Sequence, residues 1–574
     1  MRVLAVSALA IGLAAAAGCQ ANTGSNPTPT QSAASAADII VDYAGTSPVP
    51  APDVAGAKPG GKITVMQEGD FEHLDPQQIY VSNALDYSQL FHRTLTAYVE
   101  REGEPLKLVG DLATNAGVTT DNGKTWTYTL RAGIKFDDGT PITSKDVAYG
   151  IARSFSDYGV QGPQYLQSAL DPERKYKGPY TGDLNVPGVT TPDDKTIVFT
   201  FPAAHSELPY LLAFTTSTPV PAAKDTKERY DSTFVSSGPY RTKEYKRDVS
   251  LTLEKNPNWD PNSDPIRRQY VDEFFFDFAP DAETQTNRMK AAQGDDAASL
   301  MTTNVPPAMI PEVKADPELM TRVDASATPF VTYLYINTTR VTDLKVRQAL
   351  NYAFNRDAYI KAVGGLDVAK PATTIMAPIV PGYKNFDAYA NGATGNVEKA
   401  KELLGGQTPK LKMCFANTPV NQTVYAVIQQ ELSRAGFTFV SNPIEPANYY
   451  TTVGNKTTDC DMMAGGWGQD YPDGESTLGV LMDGSKIVDE GNNNLSYFND
   501  PGVVAELKRL RELTDRGAAA AGYGALDEKI MTEFAPVIPL RYLQNFALIG
   551  PKVGGSIMSP LWAHHTVVTA FVKS

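Results

Sequence analysis

From Gly61 to the end of the chain the apolar residues keep changing period, every second position in short runs and every third or fourth in longer ones. That alternation is the strongest constraint on the fold, because it demands strands and helices in turn. Ile63-Thr64-Val65-Met66 reads as a strand, and Leu85 to Leu95 as a helix with Leu85, Leu90, Phe91 and Leu95 inward. Trp126 to Arg131 alternates large apolar and polar side chains, the pattern of a half-buried strand. After the turn at Asp138-Gly139, Thr143 and Asp146 form a capping-box pattern ahead of a helix facing inward with Val147, Ile151 and Phe155. Further on, Asp343 and Asn396 are placed to cap helices, the second stopped by Gly405-Gly406. Leu411–Phe415, Thr423–Ala435, Phe437–Val440 and Asp461–Gly466 then read as strand, helix, strand, strand. In open α/β sheets ligands sit beyond the carboxyl ends of strands, which directs attention to the loop after Gly466.

With 574 residues, and about 150 residues per domain, the chain is expected to hold three to four compact units. Its formal charge of −14 repels phosphate backbones, so nucleic acid is not an expected partner. Three Cys and five His, without the spacing of a zinc framework, imply no structural metal, and no cofactor is expected. The apolar run from Val3 to Ala17 is shorter than the ~20 residues a membrane span needs and reads as the core of a signal peptide, residues 1–18. Ala16-Ala17-Gly18-Cys19 resembles a bacterial lipobox with Ala where Leu is usual, so Cys19 is the expected lipidation site and mature N-terminus. Residues 19–60 are rich in Ser, Thr, Ala, Pro and Gly and are expected to form a flexible, lipid-anchored tether with a reach of roughly 35 Å. The expected location is the outer side of the cell membrane, held by lipid alone.

Familiar catalytic motifs fail. Gly117 to Thr125 has the wrong spacing for a phosphate loop, and Gly474-Glu475-Ser476 lacks the closing glycine of a nucleophile elbow. None of His73, His92, His205, His564 and His565 lies in a motif. A non-enzymatic role is expected, with a secreted hydrolase as the alternative from another class.

Four segments together resemble the family 5 extracytoplasmic solute-binding proteins of ABC transporters, which include oligopeptide- and dipeptide-binding proteins. They are Trp126 to Val147; Ser237-Gly238-Pro239-Tyr240 with Leu253 to Trp259; Tyr335 to Thr338 with Val346 to Leu350 and Asn355-Arg356; and Gly466 to Asp473. The resemblance implies an α/β, two-lobed periplasmic-binding-protein-like fold with a ligand cleft between the lobes and an extra subdomain in the large lobe. It implies a large lobe of residues 61–332 and 540–574, a second lobe of 333–539, and crossings near Phe330–Asn337 and Val537–Tyr542. It also implies a monomer that captures oligopeptides by hinge closure and delivers them to a membrane ABC permease. A sugar or a nickel complex is the alternative ligand on the same fold.

The resemblance further assigns Asp470 to the peptide ammonium, Trp467 to a side-chain pocket and Gly468 to backbone contacts. It offers Thr303, Asn304, Tyr80 and Asn83 as further contacts. Some relatives place a basic residue just before the loop tryptophan to neutralise the peptide carboxylate, whereas here Ala464, Gly465 and Gly466 stand there. Arg541 is the nearest obvious cation, though a solvated or interlobe role suits it as well. Cys414 and Cys460 are either bridged or two buried thiols.

Overall fold

The computed structural model describes residues 39–157, 159–390 and 392–574. The expected signal peptide and the lipid-bearing Cys19 lie outside the described residues. The large lobe is built on a five-stranded sheet in the spatial order Ser299–Met301, Lys62–Met66, Glu273–Asp277, Ser250–Lys255, Tyr240–Lys246. Its first three strands are parallel and the last two antiparallel. A separate antiparallel sheet contains Thr125–Thr129, where Trp126 and Tyr128 are buried and Thr129 is exposed, as the alternation requires. The helix Ser144–Arg153 opens on Thr143, whose backbone N–H (2.8 Å) and hydroxyl (2.7 Å) both donate to Asp146. Val147 and Ile151 are fully buried on its inner face.

The chain leaves this lobe through Val323–Asp324, which pairs with the returning Ala547–Leu548. Two adjacent antiparallel strands, Ala327–Ile336 outward and Val537–Gln544 back, form the crossing. Both belong to a six-stranded sheet in the order Ala369–Pro371, Val537–Gln544, Ala327–Ile336, Met462–Trp467, Lys410–Ala416, Thr438–Ile444. Lys410–Ala416 runs parallel to both of its neighbours, and the helix Pro419–Ser433 supplies the crossover that a parallel pair needs. Asp343 and Asn396 cap their helices, accepting from the N–H groups of Lys345 and Lys399, and Gly405 ends the second helix at φ +56°. Cys414 and Cys460 are joined in a disulfide, with Cα atoms 5.9 Å apart.

Apolar side chains gather in two main clusters. One draws on residues between Ile63 and Leu300 and between Val553 and Ala570; the other runs from Val331 to Tyr542.

Two expectations need correction. The helix expected over Leu85–Leu95 is the shorter Ser82–Tyr87 with one 3-10 turn, Ser88–Leu90. The backbone then turns away, because buried Arg93 reaches Asp111 at 2.8 Å and Asp264 at 3.6 Å, a charge network that no apolar period signals. The tether expected over 19–60 is also too long. Ile40–Val41 adds a parallel strand to Lys107–Gly110, Tyr43 stacks on Trp126 at 6.1 Å, and Ala51 is fully buried. Asp42 accepts from the backbone N–H groups of Thr46 (3.0 Å) and Ser47 (2.7 Å), fixing a turn. This stretch cannot make a core of its own, but it completes one built by distant residues.

Candidate ligand-binding site between the lobes

The site begins with the strand Met462–Trp467, whose carboxyl end runs into the loop 468–474 at the face of the second lobe. Three contacts fix that loop. The Trp467 indole N–H donates to the Ser476 carbonyl at 2.9 Å, the Ser476 hydroxyl donates to the Tyr471 carbonyl at 2.7 Å, and Asp473 is ion-paired with Arg516. Held this way, Trp467, Gly468, Gln469 and Asp470 line a cavity of about 380 Å³ between the lobes, a size within the range of small-molecule sites. Tyr80 and Trp562 face them from the large lobe, and Phe330 and Thr332 close the side formed by the crossing strand.

Among the described residues, Asp470 is the one on the lining that carries a charge. The Tyr80 hydroxyl donates to its Oδ2 at 3.1 Å, and the Tyr165 hydroxyl donates to the same oxygen. Burial pushes the Asp470 carboxyl up to about 7, and the two hydroxyls offset only part of that rise. Both tyrosines are raised in turn, first by burial and then by the carboxylate charge. Beside it, Gln469 is 6 % exposed and its side-chain carbonyl oxygen has no hydrogen-bond partner. A buried acceptor left unpaired loses the stabilisation that water gave it.

Tyr471 points the other way. It is 2 % exposed and belongs to the apolar cluster of the large lobe, its one member from residues 337–536 among the described residues. Its ring lies 5.4 Å from Tyr165, 6.0 Å from Tyr210 and 6.4 Å from Phe214. The loop that carries Asp470 therefore plugs into an aromatic socket on the opposite lobe.

Of the residues singled out in the sequence, the structure brings Asp470, Trp467, Gly468 and Tyr80 together. Gly468 is needed for space, since a Cβ there would fall 2.4 Å from the Phe330 ring. Asn83, Thr303 and Asn304 do not line the cavity. Asn83 accepts from the Ala84 N–H (2.8 Å), Thr303 donates to Gln285 (3.1 Å) and Asn304 accepts from the Phe546 N–H (2.8 Å), so each is engaged in holding local structure. Sequence reasoning missed Gln469, Phe330, Thr332, Tyr165 and Trp562. Gln469 had a signal in standing next to Asp470; the others come together only through the lobe crossing.

One arrangement bears on hydrolysis. The Ser82 hydroxyl, on the cavity wall, lies 3.2 Å from His564 Nε2. Burial lowers the His564 imidazole to about 4, and its Nδ1 has no partner. In a catalytic Ser-His pair a carboxylate orients the base, and among the described residues none bonds the His564 Nδ1.

Residues 107–488 match the family described as bacterial extracellular solute-binding proteins, family 5. The chain is 26% identical over 557 residues to the periplasmic oligopeptide-binding protein OppA of Salmonella typhimurium, covering 91% of this chain and 94% of that one. It is also 26% identical over 467 residues to heme-binding protein A of Haemophilus influenzae, covering 77% and 80%. Among solved structures it resembles clavulanic acid biosynthesis oligopeptide binding protein 2 with a TM-score of 0.84 and 28% identity, over 95% of this chain and all of that one. With the two lobes, the paired crossing strands and a cavity between them, these matches mean that the chain belongs to family 5 of the bacterial extracellular solute-binding proteins.

Proposed function

We propose that this protein captures oligopeptides between its lobes and hands them to an ABC permease, held at the outer face of the membrane by a lipid on Cys19 and acting as a monomer. The lobe boundaries go with this reading: residues 61–332 and 540–574 for the large lobe, joined by the segment from Ile39, and 333–539 for the second. The observation that carries it is Asp470, a carboxylate on the cavity wall with no cation beside it among the described residues, in an otherwise uncharged lining. A peptide ammonium supplies the charge and the N–H donors that this wall lacks. The apolar surfaces of Trp467, Phe330 and Trp562 suit side chains, and Gly468 leaves backbone groups open to an extended chain. Names of similar proteins point the same way, two of the three being oligopeptide-binding proteins.

Isothermal titration with a peptide pool and its N-acetylated counterpart tests this. Removing one partner of a buried charge pair costs about 2 kcal/mol or more, so Asp470→Asn should weaken free-amine peptides by ~30-fold or more. Acetylated peptides should bind poorly to both forms. Equal loss for both sets in the variant would remove Asp470 from the amine site.

A further inference from the structure

Next to the ligand cavity the large lobe holds a much smaller void, of about 20 Å³. Leu85 and Trp562 line both, so the two spaces share one apolar wall. The void has room for a single water-sized species. Several polar side chains around it are engaged within the fold. The Ser88 hydroxyl donates to the Leu85 carbonyl at 3.1 Å, the Thr94 hydroxyl to the Thr96 carbonyl at 2.6 Å, and the Arg267 guanidinium holds Asp111 at 2.9 Å and Asp264 at 3.2 Å.

Three others on the same lining are not. His92 Nδ1, the Tyr98 hydroxyl and the Thr215 hydroxyl are buried and have no hydrogen-bond partner among the described residues, and the residues that carry them are 2 %, 6 % and 5 % exposed. They come from separate segments: His92 from just after the turn Ser88–Leu90, Tyr98 from the strand Thr96–Val99 and Thr215 from the turn Thr215–Ser217. Buried polar groups left unpaired are costly and rare, and three around one small void point to a common partner.

The chemistry of the three atoms selects that partner. His92 Nε2 lies 3.0 Å from the Leu74 carbonyl, which only accepts, so Nε2 carries the ring proton and Nδ1 presents a lone pair. Burial lowers this imidazole to about 4, which keeps it uncharged at neutral pH. The lone pair repels an anion, and the Arg267 guanidinium on the same lining repels a cation. Each hydroxyl can donate or accept. The occupant must then be neutral, small, and able both to donate to Nδ1 and to pair with hydroxyls.

We propose that this void is a binding site for one ordered water molecule, which donates to His92 Nδ1 and is held by the hydroxyls of Tyr98 and Thr215. That number of partners is what a buried water requires. The water ties three segments of the large lobe together against Leu85 and Trp562, and so stiffens the wall that these two residues give the ligand cavity.

High-resolution crystal structures of the full chain and of Thr215→Val, which keeps the side-chain shape and removes one hydroxyl, test this. Wild type should show one fully occupied peak at about 2.7–3.2 Å from His92 Nδ1 and from both hydroxyl oxygens. Thr215→Val should lower the occupancy of that peak by half or more. A wild-type void without density overturns the proposal whether or not the variant folds, and so does a peak at roughly 2.0–2.6 Å from its partners, the distance of a bound cation. An occupancy unchanged in Thr215→Val removes Thr215 from the site and overturns the assignment of its partners.

Discussion

Asp470 is a carboxyl group that burial lifts from an ordinary 3.8 to about 7, so its charge in the cavity changes near neutrality. The sign of the consequence follows from which state holds the proton. Between those two values the cavity keeps Asp470 protonated, while an ammonium ligand needs the anion, so binding must expel that proton. Affinity for free-amine peptides should therefore be greatest just above about pH 7 and fall as the pH drops below it, by up to about tenfold per unit. Above about pH 8 it should fall again as the ligand's own amino group loses its charge. Calorimetry at about pH 5.5 and about pH 7.5, in buffers of different ionisation enthalpy, should show a proton released only at the lower value. Asp470→Asn should flatten the acid limb, and a wild-type profile that is flat from the start would contradict the buried environment described for this group. That Asp470 lines the cavity was legible from the loop in which it stands. Its environment was not, because Tyr80 and Tyr165 approach from 390 and 305 residues away.

At the scale of elements, the segment 39–60 makes the sharpest contrast between local sequence and assembled structure. Local composition marks it as unable to fold alone, yet Ile40–Val41 completes a sheet edge, Ala51 N–H donates to the Asp264 carbonyl at 2.9 Å, and Val54 N–H donates to the Tyr270 hydroxyl at 3.0 Å. A chain starting at Gly60 loses all of these and exposes Trp126, Lys107–Gly110 and the surface that Ala51 covers. Its thermal midpoint should fall by about 5 °C or more relative to a chain starting at Ile39, as measured by differential scanning calorimetry. Identical midpoints would mean that the segment only rests on the surface. The elements that were legible are those written in local chemistry. The Thr143–Asp146 cap, the Trp126–Tyr128 alternation and the strand-helix-strand unit around Thr418–Ser433 each depend on residues a few positions apart. Those that were missed depend on partners far along the chain, as when Arg93 ends a helix early to reach Asp264. Thr303 and Asn304 fall outside the cavity lining for the same reason, since polar loop residues read alike whether they face a cavity or, as here, Gln285 and Phe546.

At the scale of the whole molecule, two features of one loop join the lobes: Asp470 accepts from two tyrosines of the large lobe, and Tyr471 fills the socket of Tyr165, Tyr210 and Phe214. On the proposed reading, opening of the lobes withdraws that ring into water, and truncating a buried aromatic side chain costs about 3 kcal/mol. If most of that falls on the interlobe contact, Tyr471→Ala shifts the closed-to-open ratio about a hundredfold toward open. The apolar cluster of the second lobe does not include Tyr471 and should be left intact. The expected result is a larger radius of gyration by small-angle scattering in the ligand-free variant, a return toward the wild-type value when ligand saturates it, and weaker affinity because binding must now supply the free energy of closure. A radius unchanged from wild type without ligand would show that the socket does not govern closure. On the proposed reading the same loop has two linked roles: its carboxylate would meet the ligand while its tyrosine meets the opposite lobe, so that ligand capture and lobe closure would depend on adjacent residues.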